Sequence, residues 1–247
     1  MEQNELIVEG KNPVLEAVKA KEKIDKLFVQ EGLKEGSIVE VIAKASKAGI
    51  QINYVPKSKL DKMSRTGRHQ GVICQLSAVE YSEVEDILDL AAQKGEKPFV
   101  FLLDGIEDPH NLGAIIRTAH VVGAHGVIIP KHRAASLTAT VSRASAGAIY
   151  HIPIARVTNI AKTIEELKEK GLWFVCADMD GQEMYDVDMK GAIGLVVGNE
   201  GSGVSRLVKE KCDFTARIPM KGNLDSLNAS VAVGVLAYEI YRQNRQS

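Results

Sequence analysis

Six short, unbroken apolar runs punctuate residues 98–247: PFVFLLD, GVIIP, HIPIA, LWFVCAD, AIGLVVG and FTARIP. Stretches of helical character lie between them, at 111–122, 136–146, 158–170, 204–210 and 228–242. A strand that is apolar on both faces has to be covered on both faces. The alternation therefore predicts an α/β fold with a mostly parallel sheet between layers of helices. Residues 1–77 show the same rhythm on a smaller scale, with LIVEG, KLFVQ, INYV and GVICQLS alternating with PVLEAVKA, SIVEVIAKASKAG and KLDKMS. That part reads as a small α/β domain of its own.

Charge places the boundary. Residues 1–77 carry 13 basic and 10 acidic side chains, 78–97 carry 2 and 6, and 98–247 carry 16 and 16. The acidic, Ala-rich stretch VEYSEVEDILDLAAQKGEK is the expected linker over 78–97, with EVEDILDLAA able to form a helical turn or two. With 247 residues, 45% of them hydrophobic, the chain can bury a core in each part, which excludes a disordered protein. No apolar run approaches the ~20 residues that cross a bilayer. MEQNELIVEG lacks a basic leader and an apolar signal core, so a cytoplasmic protein without membrane partners is expected. Cys74, Cys176 and Cys212 are odd in number and far apart, with no CxxC and no His at zinc-ligand spacing. They read as small buried thiols, and no metal site is expected.

In a parallel sheet, ligands gather at the carboxyl ends of the strands. Three segments stand there: GIEDPHNLGAIIRTA after the first strand of the larger part, NEGSGVS after AIGLVVG, and MKGNLDSLNAS after FTARIP. The glycines do not spell GxGxxG and no GK[ST] follows, so dinucleotide and P-loop readings lose their support. Glu200, between glycines, needs neighbours or a ligand to hold its carboxylate. Asn228 and Ser230 suit the start of the last helix, where their side chains accept from free N–H groups. Arg117 sits about two turns beyond Asn111 on an otherwise apolar helix, and its long stem can reach an anion at the strand ends. In the smaller part, Arg65, Arg68, His69 and Gln70 cluster in a Gly-containing loop before a strand. That composition suits phosphates and unstacked bases, with a solvated loop as the alternative. His110, His120, His125, His132 and His151 have no spacing that assigns a role, and Asp178 and Asp180 read as a turn after a strand.

NxGxxxRxA (Asn111, Gly113, Arg117, Ala119), GNEGxG (Gly198 to Gly203) and IPMxGxxxSLNxSxA (Ile218 to Ala232) resemble, in order, the three motifs of the SpoU, or TrmH-like, RNA ribose 2′-O-methyltransferases. EGKNPVLEAV and GRHQGV (Gly67 to Val72) are similar to the N-terminal RNA-binding domain of the branch that methylates a guanosine ribose of large-subunit (23S) ribosomal RNA. The resemblance implies a SPOUT fold with a deep trefoil knot that binds S-adenosylmethionine. It implies Arg117 as the group assisting the 2′-hydroxyl, read here as a cation because a guanidinium keeps its proton, with deprotonation by Arg117 as the alternative, and Glu200, Asn228 and Asn111 in positioning roles. Backbone and apolar groups at Val197, Gly198, Ile218, Met220, Ser226 and Leu227 would form the cofactor pocket, and Arg65, Arg68, His69 and Gln70 would touch RNA rather than DNA. Transfer RNA as substrate, and an assembly factor without turnover, are the competing readings. The segment ASVAVGVLAY, apolar nearly all round, together with the dimers usual in the family, points to a homodimer through the last helix.

Overall fold

The computed structural model describes residues 7–20, 22–33, 36–222 and 226–245. The chain forms two compact units, Met1–Glu80 with Ser136–Thr140, and Tyr81–Ala135 with Val141–Ser247.

The first unit contains β1 (Ile7–Glu9), α1 (Lys11–Lys19), β2 (Ile24–Gln30), α2 (Ser37–Lys47), β3 (Gln51–Val55), α3 (Lys57–Met63) and β4 (Val72–Leu76). Its sheet has the order β1-β4-β2-β3, with β4 antiparallel to both neighbours and β2 parallel to β3. The period of 2 along β2 decides what covers each face. Leu27 and Val29 pack with Val14 and Val18 of α1 and with Ile38, Val41 and Ala45 of α2. Phe28, pointing the other way, packs with Leu60 of α3 and Ile73. Cys74 is buried in the first of these clusters, and burial pushes its thiol up to about 12.

The second unit contains α4 (Val84–Lys94), β5 (Phe99–Asp104), α5 (Pro109–Val121), β6 (Gly126–Pro130), α6 (Ala139–Ala144, from Val141 onward), β7 (Ile154–Val157), α7 (Ile160–Glu169), β8 (Trp173–Glu183), β9 (Ile193–Gly198), α8 (Arg206–Lys211), β10 (Phe214–Arg217) and α9 (Ala229–Asn244). A turn of 3-10 helix, Ala148–Tyr150, follows α6. Six strands form one parallel sheet in the order β10-β8-β9-β5-β6-β7. The central strands β5 and β9 pair from Phe99↔Ile193 to Asp104↔Gly198, and every residue of β9 is buried. Two-sided burial is the physical reason for the unbroken apolar runs. One face of the sheet, with Val100, Leu102, Ile128, Phe174, Cys176 and Val196, packs against Ile160, Ile164 and Leu167 of α7 and Val208 of α8. Helix α9 packs against α5 and β9.

Four sequence expectations need correction. The stretch 78–97 is not a linker, because α4 runs for 11 residues and buries Ile87 and Ala91, with Ile87 in the same core as Val100 and Leu102. A reciprocal cap between Glu83 and Asp86 starts this helix, so two of the acidic residues that marked the boundary form that cap, and the helical turn or two expected of EVEDILDLAA is a full helix. Asp178 and Asp180 lie inside β8, which extends to Glu183, rather than in a turn. The helix expected over 136–146 is shortened to Ala139–Ala144, and Gly147 at φ 84° then redirects the chain. Cys176 is buried as expected, but Cys212 is only half-buried.

His125 has a structural place. Its ring is buried, Nδ1 accepts the Phe99 N–H (3.0 Å), and Nε2 lies 3.0 Å from Glu96. Burial lowers its pKa from the ordinary 6.5, against the opposing pull of Glu96. The unfolded chain therefore takes up this proton first, and the stability it contributes is lost as pH falls below 6.5 toward the lower folded value. An NMR titration of the ring is expected to give a midpoint below 6.5, and a midpoint above it would contradict the assignment.

Candidate active site

Loops at the carboxyl edge of the second unit's sheet bring the three motifs together. Strand β5 ends at Asp104, which is buried and accepts the Ser205 N–H (2.8 Å). Asp108, not Asn111, caps α5: its carboxylate accepts from the His110 and Asn111 N–H groups, each at 3.2 Å. With Pro109 at the first helical position, the helix starts two residues earlier than its apolar pattern shows. The cap leaves the Asn111 side chain free for other partners. Gly113 lets α5 approach α6, since a Cβ there would stand 2.4 Å from the Ala144 Cβ.

After β9, Asn199 and Gly203 exchange backbone hydrogen bonds (3.1 and 2.8 Å), and Asn199 Oδ1 accepts the Gly201 N–H (2.8 Å). The tight loop presents Glu200. Its Oε1 accepts from Asn111 Nδ2 (2.9 Å), from the Ala229 N–H (3.2 Å) and, at very short range, from Asn228 Nδ2. Asn228 Nδ2 also donates to Asn111 Oδ1 (2.9 Å), while Asn228 Oδ1 caps α9 by accepting the Ser230 and Val231 N–H groups (3.0 and 3.3 Å). Capping and cross-linking are thus both true of Asn228. One carboxylate gathers three donors from two other motifs, which satisfies its charge and fixes the loops in register.

Arg117 is not part of this cluster. It is exposed on α5, two turns from Asn111, and among the described residues no acid lies within ion-pair distance of it. The Glu200 carboxylate, to which the resemblance gives a positioning role, is taken up by the two asparagines and the Ala229 N–H. An exposed guanidinium on the helix that carries Asn111, with no acid partner among the described residues, is available to an incoming anion.

The six expected cofactor residues, Val197, Gly198, Ile218, Met220, Ser226 and Leu227, line one cavity of about 340 Å³. That volume is in the range of small-molecule sites. Asn223 and Asp225 of the third motif, with Leu224 between them, lie outside the described residues. Among the described residues, Ile218, Met220 and Leu227 exchange no backbone hydrogen bonds, and they stand beside apolar walls of the cavity. Gly198 is dictated by backbone proximity: a Cβ there would fall 2.0 Å from the Gly203 carbonyl carbon. Sequence reasoning missed the wall formed by Ala177, Asp178 and Met179, just past the point where β8 stops pairing with β9. Burial alone would raise the Asp178 carboxyl, but the Asp180 N–H and the Lys209 ammonium (2.9 Å) hold it below the usual carboxylate range. An ionised carboxylate and apolar walls suit a cationic ligand with an adenine ring. The residues present fit S-adenosylmethionine.

In the first unit, Gln70 Oε1 accepts the Lys11 N–H (3.1 Å), and Glu9 accepts from Ser64 Oγ and the Thr66 N–H (3.0 Å). These bonds tie the 64–71 loop to the start of α1, with Arg65, Arg68 and Gln70 exposed on it. His69 is a correction. Its ring is buried, with Nε2 donating to Asp61 (2.9 Å) and Nδ1 accepting the Gly71 N–H (3.0 Å), so it braces the loop from inside and cannot present an edge to RNA.

A parallel α/β sheet with a small-molecule cavity and a carboxamide–carboxylate cluster at its carboxyl edge, and an exposed arginine on the helix after β5, marks a small-molecule-binding α/β domain with a polar reaction site. Residues 98–238 match the SpoU rRNA Methylase family, and residues 7–82 match the RNA 2′-O ribose methyltransferase substrate binding domain. A Bacillus subtilis (strain 168) protein, YacO, whose name places it in the TrmH family of tRNA/rRNA methyltransferases, is 52% identical over 244 residues, 98% of each chain. The crystal structure of the SpoU methyltransferase AviRb from Streptomyces viridochromogenes in complex with AdoMet is similar at TM-score 0.60 and 26% identity, covering 97% of this chain and 90% of that one. The AdoMet-bound rRNA methyltransferase from Sinorhizobium meliloti is similar at TM-score 0.59 and 28% identity, covering 96% and 86%. The chain belongs to the SpoU, or TrmH-like, family and is an S-adenosylmethionine-dependent RNA 2′-O-methyltransferase.

Proposed function

We propose that the protein methylates the ribose 2′-oxygen of a guanosine in large-subunit ribosomal RNA, in the cytoplasm. The observation that carries the catalytic reading is the cluster of Asn111, Glu200 and Asn228 at the cavity rim with Arg117 unpaired on the same helix as Asn111. The bound cofactor supplies an electrophilic methyl group on a sulfonium. A ribose hydroxyl is a weak nucleophile near neutral pH, so charge developing on its oxygen has to be stabilised. Arg117 performs this as a cation that also holds the adjacent phosphate, because a guanidinium keeps its own proton and is a poor acceptor for another, and the hydroxyl proton passes to solvent as the oxygen takes the methyl group. Asn111 and Asn228, held by Glu200, orient the ribose. Ribosomal RNA is supported by the likeness of EGKNPVLEAV and GRHQGV to the branch acting there, and Arg65, Arg68 and Gln70 are the contacts of the first unit. Labelled methyl transfer to unmodified transcripts of large-subunit ribosomal RNA and of tRNA, followed by mass mapping, is the test. Methylation of tRNA alone would remove the ribosomal assignment, and a base-methylated product or none would remove the catalytic one.

We also propose a homodimer through α9. The helix buries Val233, Leu236, Ala237 and Ile240, yet leaves Val231, Tyr238 and Tyr241 about half exposed along one stripe, and Val121 of α5 is 61% exposed. Apolar exposure spaced along a single helix face marks an association surface. Light scattering at micromolar concentration is expected to give twice the 26.8 kDa chain mass, and a monomer would contradict the proposal.

A further inference from the structure

Strand β6 ends at Pro130, and Lys131, His132 and Arg133 follow it in the open, on the same carboxyl edge that carries Asn111 and Glu200. Two backbone bonds fix this loop. The Lys131 N–H donates to the Val157 carbonyl, and the Ala135 N–H donates to the Ile106 carbonyl, each at 2.8 Å. Ile106 belongs to the β5–α5 loop, whose Gly105 carbonyl accepts from Asn199 Nδ2 (3.0 Å). The loops after β6, β5 and β9 therefore lie side by side, on strands about 4.8 Å apart.

Arg133 has φ 56°, in the left-handed region that a side chain other than glycine's rarely adopts. Such a conformation persists only where its surroundings impose it, and it recurs at ligand clamps. Among the described residues, neither Lys131 nor Arg133 has an acid within ion-pair distance. Elsewhere in this unit Lys162, Lys168, Lys170 and Arg206 each hold one. The loop does not line the cofactor cavity, which β8, β9, β10 and α9 enclose on the other side of β5. Two exposed cations with no acid partner among the described residues thus lie one strand beyond β5, on the side away from the cavity.

We propose that Lys131 and Arg133 grip the phosphate backbone of the substrate RNA beside the ribose presented to Arg117. The inference rests on the RNA reading above. A polyanion whose ribose sits over Asn111 has its flanking phosphates over the neighbouring strand ends, and β6 is the neighbour on the side away from the cofactor. Cations that hold phosphates position the chain without reading its sequence.

The test uses the full-length enzyme with K131A, R133G and the double variant. Glycine tolerates the positive φ, so R133G removes the charge while relieving the backbone. With unmodified transcripts of large-subunit ribosomal RNA and of tRNA, the double variant is expected to raise KM for RNA by roughly tenfold with kcat at saturating RNA preserved. The slope of log affinity against log salt should fall by about 1 for each lost contact. Calorimetry should give an unchanged Kd for S-adenosylmethionine. Unchanged KM and salt slope, or a lower melting temperature of R133G with an unchanged slope, would overturn the inference. If the wild-type enzyme neither binds nor methylates these RNAs, the RNA reading itself falls. A working wild type with working variants removes this inference alone.

Discussion

Arg117→Ala is expected to lower kcat by about 10² or more while leaving the Kd for S-adenosylmethionine nearly unchanged. The guanidinium has no partner among the described residues, so the folded chain does not depend on it for an ion pair, and its interaction is made with charge that appears only in the transition state. Arg117→Lys should recover little, because an ammonium lacks the planar fork that holds a phosphate and a hydroxyl together. Glu200→Ala should impair turnover in the same direction, for a different reason. It frees Asn111 and Asn228 from the oxygen that both donate to, so the ribose-orienting amides lose their register. If the two residues serve one constellation, the double variant will lose less than the combined single losses. Single-turnover kinetics together with calorimetry separate these outcomes. A fall in melting temperature with near-normal turnover by the folded fraction would retire Arg117 as the catalytic cation.

Gly198→Ala should abolish cofactor binding. Its added methyl would stand 2.0 Å from the Gly203 carbonyl carbon and 2.1 Å from its oxygen, and these are backbone atoms held by the paired hydrogen bonds between Asn199 and Gly203. No rotamer change relieves the overlap, so β9 and the 199–203 loop have to separate, and the loop carries both a cavity wall and Glu200. Overpacking of this kind costs about 1–3 kcal/mol or more. A chain of this size should lose about 2–4 °C of melting temperature for each kcal/mol. Calorimetry and thermal melts on the same sample check both consequences. Gly201→Ala is the control, since its Cβ would meet no atom closer than 3.5 Å. Normal affinity in Gly198→Ala would show that the glycine is a flexible turn residue and not a spacer between two passing backbones.

Much of this molecule is written locally. The continuous apolar runs required strands covered on both faces, and β5, β6, β9 and β10 fall within the runs that named them, while β7 shares only Ile154 and Ala155 with HIPIA. The residues that carry the site were also marked, because glycine, asparagine and serine after a strand serve both tight turns and ligand contact, and their order matched one family. The expectation of a knot rests only on that resemblance, since topology rules argue against threading.

Other features depended on distance in space. Sequence gave EVEDILDLAA an amphipathic pattern, but whether its apolar side met a core or water depended on Gly126, 39 positions after Ile87, leaving room for that side chain beside β6. His69 looked like a base-reading residue among arginines, and only folding showed Asp61 and the Gly71 N–H consuming both ring nitrogens. Asp178 resembled a turn residue until β8 continued past it and placed its carboxylate on the cavity wall. The same holds for Glu200, whose need of partners was evident but whose partners are 89 and 28 positions away. Periodicity and turn chemistry are properties of neighbours along the chain, so sequence determined the elements and the residue types at their ends. Hydrogen-bond satisfaction and close packing act between segments far apart in the chain, so only the tertiary structure decided which polar groups were consumed by the fold and which, like Arg117, Lys131 and Arg133, were left for a ligand.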